Sequence, residues 1–216
     1  MLFLCTKIVK NFVIRIFFAN FAGKITIKML KFISFGSGSS GNSYYLYTDT
    51  DSILIDVGVG IRTLKKHFHN YGLRFEDVHH ILITHDHADH VKSVGSLSTD
   101  YKLPVYTTRK VHVGIERNYC VRKKIAPNHV HVIEKSVPFN VGEFKVTSFG
   151  VPHDSTDNVG YFVECGIPAA LRHVPTSATW RPPRRSCGIW AVRPNGTATI
   201  CWWTPPASHG GTFPKR

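Results

Sequence analysis

Acidic residues are missing from two of the three parts of this sequence. None of the 14 Asp and Glu residues falls in residues 1–28 or 167–216, which hold five and seven of the 27 basic residues. Residues 29–166 therefore carry 15 basic and 14 acidic residues, a net charge of +1. The overall net charge of +13 would by itself suggest a nucleic-acid or anionic-membrane partner. Its distribution assigns that basic character to the two ends.

The sequence also lacks paired cysteines and a long apolar run. Its five Cys residues form no CxxC or other zinc spacing, so we expect free thiols in a reducing, cytoplasmic compartment. In residues 1–28, Lys7, Lys10 and Arg15 divide an apolar stretch into pieces too short for a membrane span or a clean signal peptide. Either a start codon assigned upstream of Met29 or an N-terminal helix would explain this extension, and both remain open.

Residues 167–216 differ in composition from everything before them. They contain all four Trp and eight of the twelve Pro, and their basic residues are mostly Arg, whereas residues 1–166 have 14 Lys and 6 Arg. No helical or strand periodicity persists there, and prolines interrupt each short apolar run. We interpret this tail as a disordered extension or, preferably, as the product of a shifted reading frame. The abrupt change at Gly166–Ile167 favours the second interpretation.

The middle segment, residues 29–166, has the length and pattern of one domain that combines many short strands with few helices. Strands are predicted at residues 30–35, 43–48, 52–55, 78–84, 104–107, 130–133, 143–149 and 159–164. Helices are predicted at residues 61–71, from Val91 to Leu97 and at residues 109–118. This order suits a mixed α/β sandwich better than a regular parallel βαβ sheet.

The densest cluster of titratable side chains follows the predicted strand 78–84 directly. Residues 85–90 read HDHADH, which places three imidazoles and two carboxylates within six residues. Imidazole and carboxylate groups are ligands of Zn²⁺, Mn²⁺ and Fe²⁺, and so many ionisable groups in one loop would be costly without a cation to share. The spacing therefore predicts metal binding. Other histidines are interpreted as ordinary polar residues: His67, His69, His79, His80, His129 and His131.

The sequence ILITHDHADH resembles the HxHxDH motif of the metallo-β-lactamase superfamily. ILIDVG at residues 53–58 and FGVPHD at residues 149–154 match two further motifs of that superfamily. FISFGSGSSGNSYYL at residues 32–46 resembles its YycJ/WalJ-type, exonuclease-like branch in particular. The resemblance implies an α/β fold, a metallo-β-lactamase-type αββα sandwich. Its first half would lie in residues 29–166, with the second half missing or replaced.

The resemblance also implies two divalent metal ions, Zn, Mn or Fe, and a role for each matching residue. Besides binding metal, Asp89 would act as the catalytic residue that orients the attacking hydroxide. Asp56 would lie beside the ligands and fix their orientation. The superfamily completes its second site with a bridging Asp and a further His from the second half. Since residues 167–216 contain no Asp, that site is expected to be incomplete here. The implied ligands are His85, His87 and His153 for the first ion, and Asp89 and His90 for the second.

Two other patterns have to be weighed. Gly36, Gly38 and Gly41 satisfy GxGxxG, and Asp56 lies 20 residues after Gly36, as in a dinucleotide-binding loop. That loop must open a helix, whereas residues 42–48 alternate as a strand, so we reject this interpretation. The loop is instead either a plain hairpin turn or an element that shapes the metal site.

The basic cluster Arg117, Arg122, Lys123 and Lys124 is interpreted by default as a solvated surface, with phosphate contact as the alternative.

Three functions follow from these patterns. The branch resemblance favours a phosphodiesterase or nuclease that acts on DNA through a metal-activated hydroxide. A hydrolase of small molecules, such as a lactone, thioester or β-lactam, would use the same ligands. An inactive metal-binding remnant is the third possibility, because the second half of the site is expected to be absent. No membrane partner is indicated.

Overall fold

The computed structural model describes the backbone of residues 2–4, 11–19, 25–168, 189–192 and 197–202, and the side chains of residues 30–165. The described strands form two sheets. The first sheet has the spatial order β2-β3-β4-β5-β6-β7-β8, and the second has the order β1-β12-β13-β11-β10-β9. Strands β5 to β8 pair in parallel and the remaining described pairs are antiparallel. The predicted mixed α/β arrangement is therefore confirmed.

The elements have the following bounds. The first sheet contains β2 (Asn11–Ala19), β3 (Ile25–Gly36), β4 (Ser43–Tyr47), β5 (Ser52–Val57), β6 (His80–Leu82), β7 (Val105–Thr107) and β8 (Val130–Val132). The second contains β1 (Leu2–Leu4), β9 (Pro138–Val141), β10 (Phe144–Gly150), β11 (Val159–Pro168), β12 (Ile189–Val192) and β13 (Thr197–Trp202). The helices are α1 (Ile61–Asn70), α2 (Ala88–Val91), α3 (Val94–Asp100) and α4 (Arg109–Arg117), with 3₁₀ turns at Phe75–Asp77 and Pro127–His129.

Two apolar clusters define the layers. The first lies between the sheets, where Leu46 and Ile55 pack with Phe144, Val146 and other buried residues of β10 and β11. The second lies on the outer face of the first sheet, where the helices bury their apolar sides, as Leu64 and Phe68 do in α1. Helices, first sheet and second sheet thus form three of the four layers of an αββα sandwich. No described helix packs on the outer face of the second sheet.

Several predicted bounds are corrected by local hydrogen bonding. Of the strand predicted at residues 78–84, only His80–Leu82 pairs as a strand. The amide of Thr84 donates instead to the Asp56 carboxylate at 2.9 Å. The helix predicted from Val91 begins instead at Ala88 and breaks at Ser93, whose amide donates to the Val57 carbonyl at 3.0 Å. Strand β9 was not predicted, because a four-residue run that begins with proline is a weak signal.

The two ends of the chain add strands. An N-terminal helix is wrong for residues 11–19, which form β2 and pair with β3. Within residues 167–216 the structure describes β12, β13 and the last residues of β11, and the rest of the predicted tail lies outside the described residues. The shifted reading frame stays a prediction. Among the described residues, none of the helices has the length and apolar character that crossing a membrane requires.

Asp51 joins the β4–β5 turn to the β9–β10 turn. Its carboxylate accepts hydrogen bonds from the amides of Glu143 and Ser52, both at 2.8 Å, and contacts Nδ1 of His79 at 2.9 Å. Burial opposes ionisation of this carboxyl, but the Glu143 amide and His79 outweigh it, so the pKa of Asp51 lies below its ordinary value. A carboxyl group with a depressed pKa stabilises the fold above its unfolded pKa of about 3.9 and loses that contribution as the pH falls.

We expect Asp51→Ala to lower the free energy of unfolding by about 1 kcal/mol at pH 7, because it leaves two partly buried backbone amides without their acceptor. The difference from the unsubstituted chain should shrink as the pH falls below about 4, where the unfolded carboxyl is protonated. Urea unfolding followed by circular dichroism at both pH values measures this. Asp49→Ala is the matched control, since Asp49 is exposed and, among the described side chains, pairs with Lys31 alone. Equal losses in the two variants would contradict the prediction.

Candidate metal centre

Three imidazoles converge where the ends of two strands meet. His85 and His87 follow β6 of the first sheet, and His153 follows β10 of the second. One ring nitrogen of each residue lies within 4.8 Å of the corresponding atoms of the other two. The ring centroid of His85 is 4.7 Å from the ring centroid of His87 and 4.7 Å from that of His153. The structure therefore brings together the three residues predicted to bind the first ion.

His85 is held in the form that a metal ion needs. Burial, together with the neighbouring rings of His90, His153 and His87, lowers the pKa of His85, so its ring is neutral. Its Nδ1 lies 3.0 Å from Oγ1 of Thr84, whereas its buried Nε2 has no hydrogen-bond partner among the described residues. A buried polar atom without a partner is costly in a folded protein. An imidazole lone pair directed into a cluster of other imidazoles suits a divalent cation, so these residues fit one.

The carboxylate of Asp56 orients the imidazoles of His90 and, through Thr84, of His85. Asp56 is fully buried at the end of β5 and adopts a φ of +57°, a left-handed conformation that is uncommon for a non-glycine residue. Oγ1 of Thr84 donates to its carboxylate at 2.9 Å, which leaves the hydroxyl oxygen free to accept from Nδ1 of His85. Nδ1 of His90 donates to the same carboxylate at 2.8 Å. Asp56 thus takes the supporting position that the resemblance implied.

Asp89 and His90 form a pair beside the three-imidazole cluster. Oδ2 of Asp89 lies 3.6 Å from Nε2 of His90, and the His90 ring centroid is 3.9 Å from that of His85. Burial opposes protonation of His90, but the charges of Asp56 and Asp89 outweigh it and raise the pKa of His90. Neither residue joins a group of three or more potential ligands among the described residues. Their role as ligands of a second ion stays a prediction.

Asn42 is a further residue of the site, and the sequence did not indicate it. Its side-chain amide lies 3.0 Å from Oδ2 of Asp89 and 2.9 Å from Nε2 of His90. Nδ1 of His90 faces Asp56, so Nε2 is the ring nitrogen that faces Asn42. The Asn42 side chain also exchanges hydrogen bonds with the backbone of Gly38. The only signal available was its position at the end of the Gly-Ser loop.

The Gly-Ser loop and the metal-ligand loop fit together closely. The amide of Asn42 donates to the Asp89 carbonyl at 2.7 Å, and the amide of Gly58 donates to the Asn42 carbonyl at 2.9 Å. A Cβ atom on Gly58 would overlap the backbone of Asp89, and one on Gly41 would press against Gly58. These contacts favour the interpretation that the loop shapes the metal site. Because a strand and not a helix follows the loop, rejection of the dinucleotide interpretation is confirmed.

Several nearby or predicted polar residues make contacts outside the three-imidazole cluster. The side chain of Asp86 accepts a hydrogen bond from Thr156 at 2.7 Å and does not join the cluster. His79 and His80 contact Asp51, while Nδ1 of His129 contacts the Ser98 carbonyl at 2.8 Å. Of the three cluster imidazoles, His87 has the most open position, with 37% of its side chain exposed.

Comparison with known proteins agrees with this geometry. The family model described as "Beta-lactamase superfamily domain" matches residues 51–184. Exodeoxyribonuclease YycJ of Bacillus anthracis is 33% identical over 132 residues, 61% of this chain and 49% of that protein. Exodeoxyribonuclease WalJ of Streptococcus pneumoniae serotype 2 is 33% identical over 125 residues, 58% of this chain and 46% of that protein. The chain thus spans about half the length of these curated relatives.

A solved structure supports the same fold. The MIM-2 metallo-β-lactamase superposes with a TM-score of 0.51 at 14% identity, covering 64% of this chain and 55% of that one. At this identity the likeness concerns the fold alone. The family match covers more than half of the chain and includes every predicted ligand, so the chain belongs to the metallo-β-lactamase superfamily of hydrolases.

Proposed function

We propose that this chain is part of a metal-dependent nuclease that hydrolyses phosphodiester bonds of DNA. The observation that carries the hydrolase chemistry is the cluster of His85, His87 and His153, in which the buried Nε2 of His85 has no hydrogen-bond partner in the described part of the chain. The choice of DNA rests on the two similar proteins named exodeoxyribonucleases. A cytoplasmic location goes with this proposal, supported by the free thiol of Cys120.

The residues divide the work as follows. The three imidazoles of the cluster would hold the first divalent cation, zinc, manganese or iron. Asp89 and His90 would contribute to a second site, which is expected to be incomplete in this chain. A bound cation of this kind acts as a Lewis acid and lowers the pKa of water toward neutrality. Asp89 has 32% of its side chain exposed, so its carboxylate can accept a hydrogen bond from an attacking water and orient it. Asn42 holds that carboxylate in place through the 3.0 Å contact.

The test is hydrolysis by the full chain supplied with zinc, manganese or iron. Because the second metal site is expected to be incomplete, we expect only slow shortening of end-labelled linear double-stranded DNA, present with the metal and absent with a chelator, whereas a lactone and a chromogenic β-lactam are left intact. Asp89→Asn should reduce cleavage by at least about 100-fold, because an amide is a weaker ligand and acceptor than a carboxylate. Hydrolysis of the lactone or β-lactam in place of DNA would refute the proposal, and so would failure to cleave any of the three.

A further inference from the structure

An open cleft lies between the start of α1, the junction of α2 and α3, and the loop after α4. Its volume is about 530 Å³. Four basic residues line it, namely Arg62, Lys92, Arg122 and Lys123, and no acidic residue does. The five predicted metal ligands are not among its lining residues either. The cleft is therefore a separate, positively charged feature of a segment whose net charge is only +1.

The cations of this cleft come from distant parts of the sequence. Arg62, Lys92 and Arg122 are exposed, and within the side chains of residues 30–165 none of them forms an ion pair. Lys123 is the exception, with its ammonium 2.7 Å from Oδ1 of Asp100. Arg62, Lys92 and Arg122 thus come together from the start of α1, the α2–α3 junction and the loop after α4, without acidic partners among the described side chains. An uncompensated group of positive charges attracts a polyanion.

An exposed aromatic ring completes the cleft. Tyr119 lines it and is 90% exposed, more than any other large hydrophobic residue described. Burial therefore does not account for its position. A row of cations beside an exposed aromatic ring is the combination that binds single-stranded nucleic acid, since the cations contact phosphates and a base stacks on the ring. An acidic peptide or a membrane surface would use the cations but has no base to stack on the ring.

The cleft adjoins the metal-ligand loop. Lys92 and Ser93 follow His90 directly in sequence, after Val91. The hydroxyl of Ser93 donates to the Val59 carbonyl at 2.7 Å, just after the strand that carries Asp56. The backbone of the metal-ligand loop thus continues directly into the wall of the cleft.

We propose that this cleft binds a single-stranded stretch of nucleic acid, with phosphates on Arg62, Lys92 and Arg122 and one base stacked on Tyr119. The proposal rests on the proposed nuclease function and specifies the form in which that site receives its substrate. It replaces, for Arg122, the default interpretation of the basic cluster as a solvated surface. That default holds for Lys124, whose ammonium donates to the Glu116 carbonyl.

The test measures binding of the full chain to a fluorescein-labelled 15-nucleotide oligothymidylate by fluorescence anisotropy, in chelator and over a series of salt concentrations. Arg122→Ala should weaken binding and reduce the slope of log K against log salt by about 0.7, the value for one phosphate contact on a single strand. Tyr119→Ala should weaken binding by at least about 5-fold, whereas Tyr119→Phe keeps the stacking surface and should bind normally. Arg74→Ala is the matched control, because Arg74 is exposed, pairs with Asp77 and does not line the cleft.

Either of two results would overturn the proposal that the cleft binds single-stranded nucleic acid. If Arg122→Ala and Tyr119→Ala bind as tightly as the unsubstituted chain, or if only duplex DNA binds, the proposal is overturned. Oligouridylate in a parallel arm separates RNA from DNA, and binding of either strand through these residues supports it. Because no metal is present, loss of DNA hydrolysis with intact cleft-dependent binding would refute the nuclease function and leave the cleft standing. Normal DNA hydrolysis by the unsubstituted chain, together with unaltered oligonucleotide binding by the cleft variants, would refute the cleft proposal and leave the nuclease function standing.

Discussion

The double substitution His85→Ala/His87→Ala is expected to abolish metal binding by the purified chain. The cluster offers three ring nitrogens within 4.8 Å of one another, and the double variant keeps only that of His153. A single imidazole does not hold Zn²⁺, Mn²⁺ or Fe²⁺ through desalting, since protein sites for these ions need three or more ligands. Elemental analysis after gel filtration should show the metal in the unsubstituted chain and less than about a tenth of it in the variant.

The control for this experiment has the same spacing and the same change in composition. His67 and His69 lie at the end of α1, two positions apart like His85 and His87, and belong to no group of potential metal ligands among the described side chains. The variant His67→Ala/His69→Ala should keep its metal. Because His85 is buried, its replacement can also disturb the fold. The single variant His87→Ala is therefore added, since His87 is partly exposed and its loss of metal is not explained by misfolding. Equal metal content in all four proteins would refute the assignment of the site.

The local part of the site could be predicted from sequence because its chemistry is local. His85, His87, Asp89 and His90 lie within six consecutive positions, and their spacing alone indicates a shared cation. His153 lies 63 residues beyond His90 and reaches the cluster only because β10 of the second sheet ends beside β6 of the first. That contact is long-range, so only the resemblance to a known family could identify it.

Asn42 could not be predicted, because its role depends on backbone conformation. Gly41 adopts a φ of +145°, and the loop closes so that the Asn42 amide reaches the carbonyl of Asp89. An asparagine after a glycine-rich loop is otherwise an ordinary turn residue. The predicted strand 78–84 was too long for a related reason. Its last residue, Thr84, uses its amide and hydroxyl to hold Asp56 and no longer extends the strand.

The basic cleft illustrates the same limit. In the sequence, Arg122 and Lys123 form part of a short charged run, for which a solvated surface is the reasonable default. Arg62 and Lys92 lie 60 and 30 residues before Arg122, and nothing in the sequence links them to it. Only the packing of α1 and of the α2–α3 junction against the loop after α4 brings these cations to one cleft.

Asp56→Asn is the second substitution with a large expected effect, and it separates charge from backbone strain. Asparagine tolerates the left-handed φ of +57° about as well as aspartate, so the backbone should be retained. Three donors face the carboxylate: the amide and hydroxyl of Thr84 and Nδ1 of His90. The asparagine NH₂ group would oppose one of them with another donor. His90 and, through Thr84, His85 would then lose their fixed orientation.

We expect Asp56→Asn to weaken metal binding by about 10–100-fold, the usual effect of losing a partner that orients a ligand. The free energy of unfolding without metal should fall by about 1–3 kcal/mol, because a buried donor is left unsatisfied. Competition with a chromophoric chelator measures the affinity, and urea unfolding measures the stability. Thr84→Val is the matched control, since it removes the hydroxyl link to His85 but keeps the backbone amide on Asp56 and should have a smaller effect on both. Metal affinity in Asp56→Asn equal to that of the unsubstituted chain would show that Asp56 is not a positioning residue, whatever the change in stability.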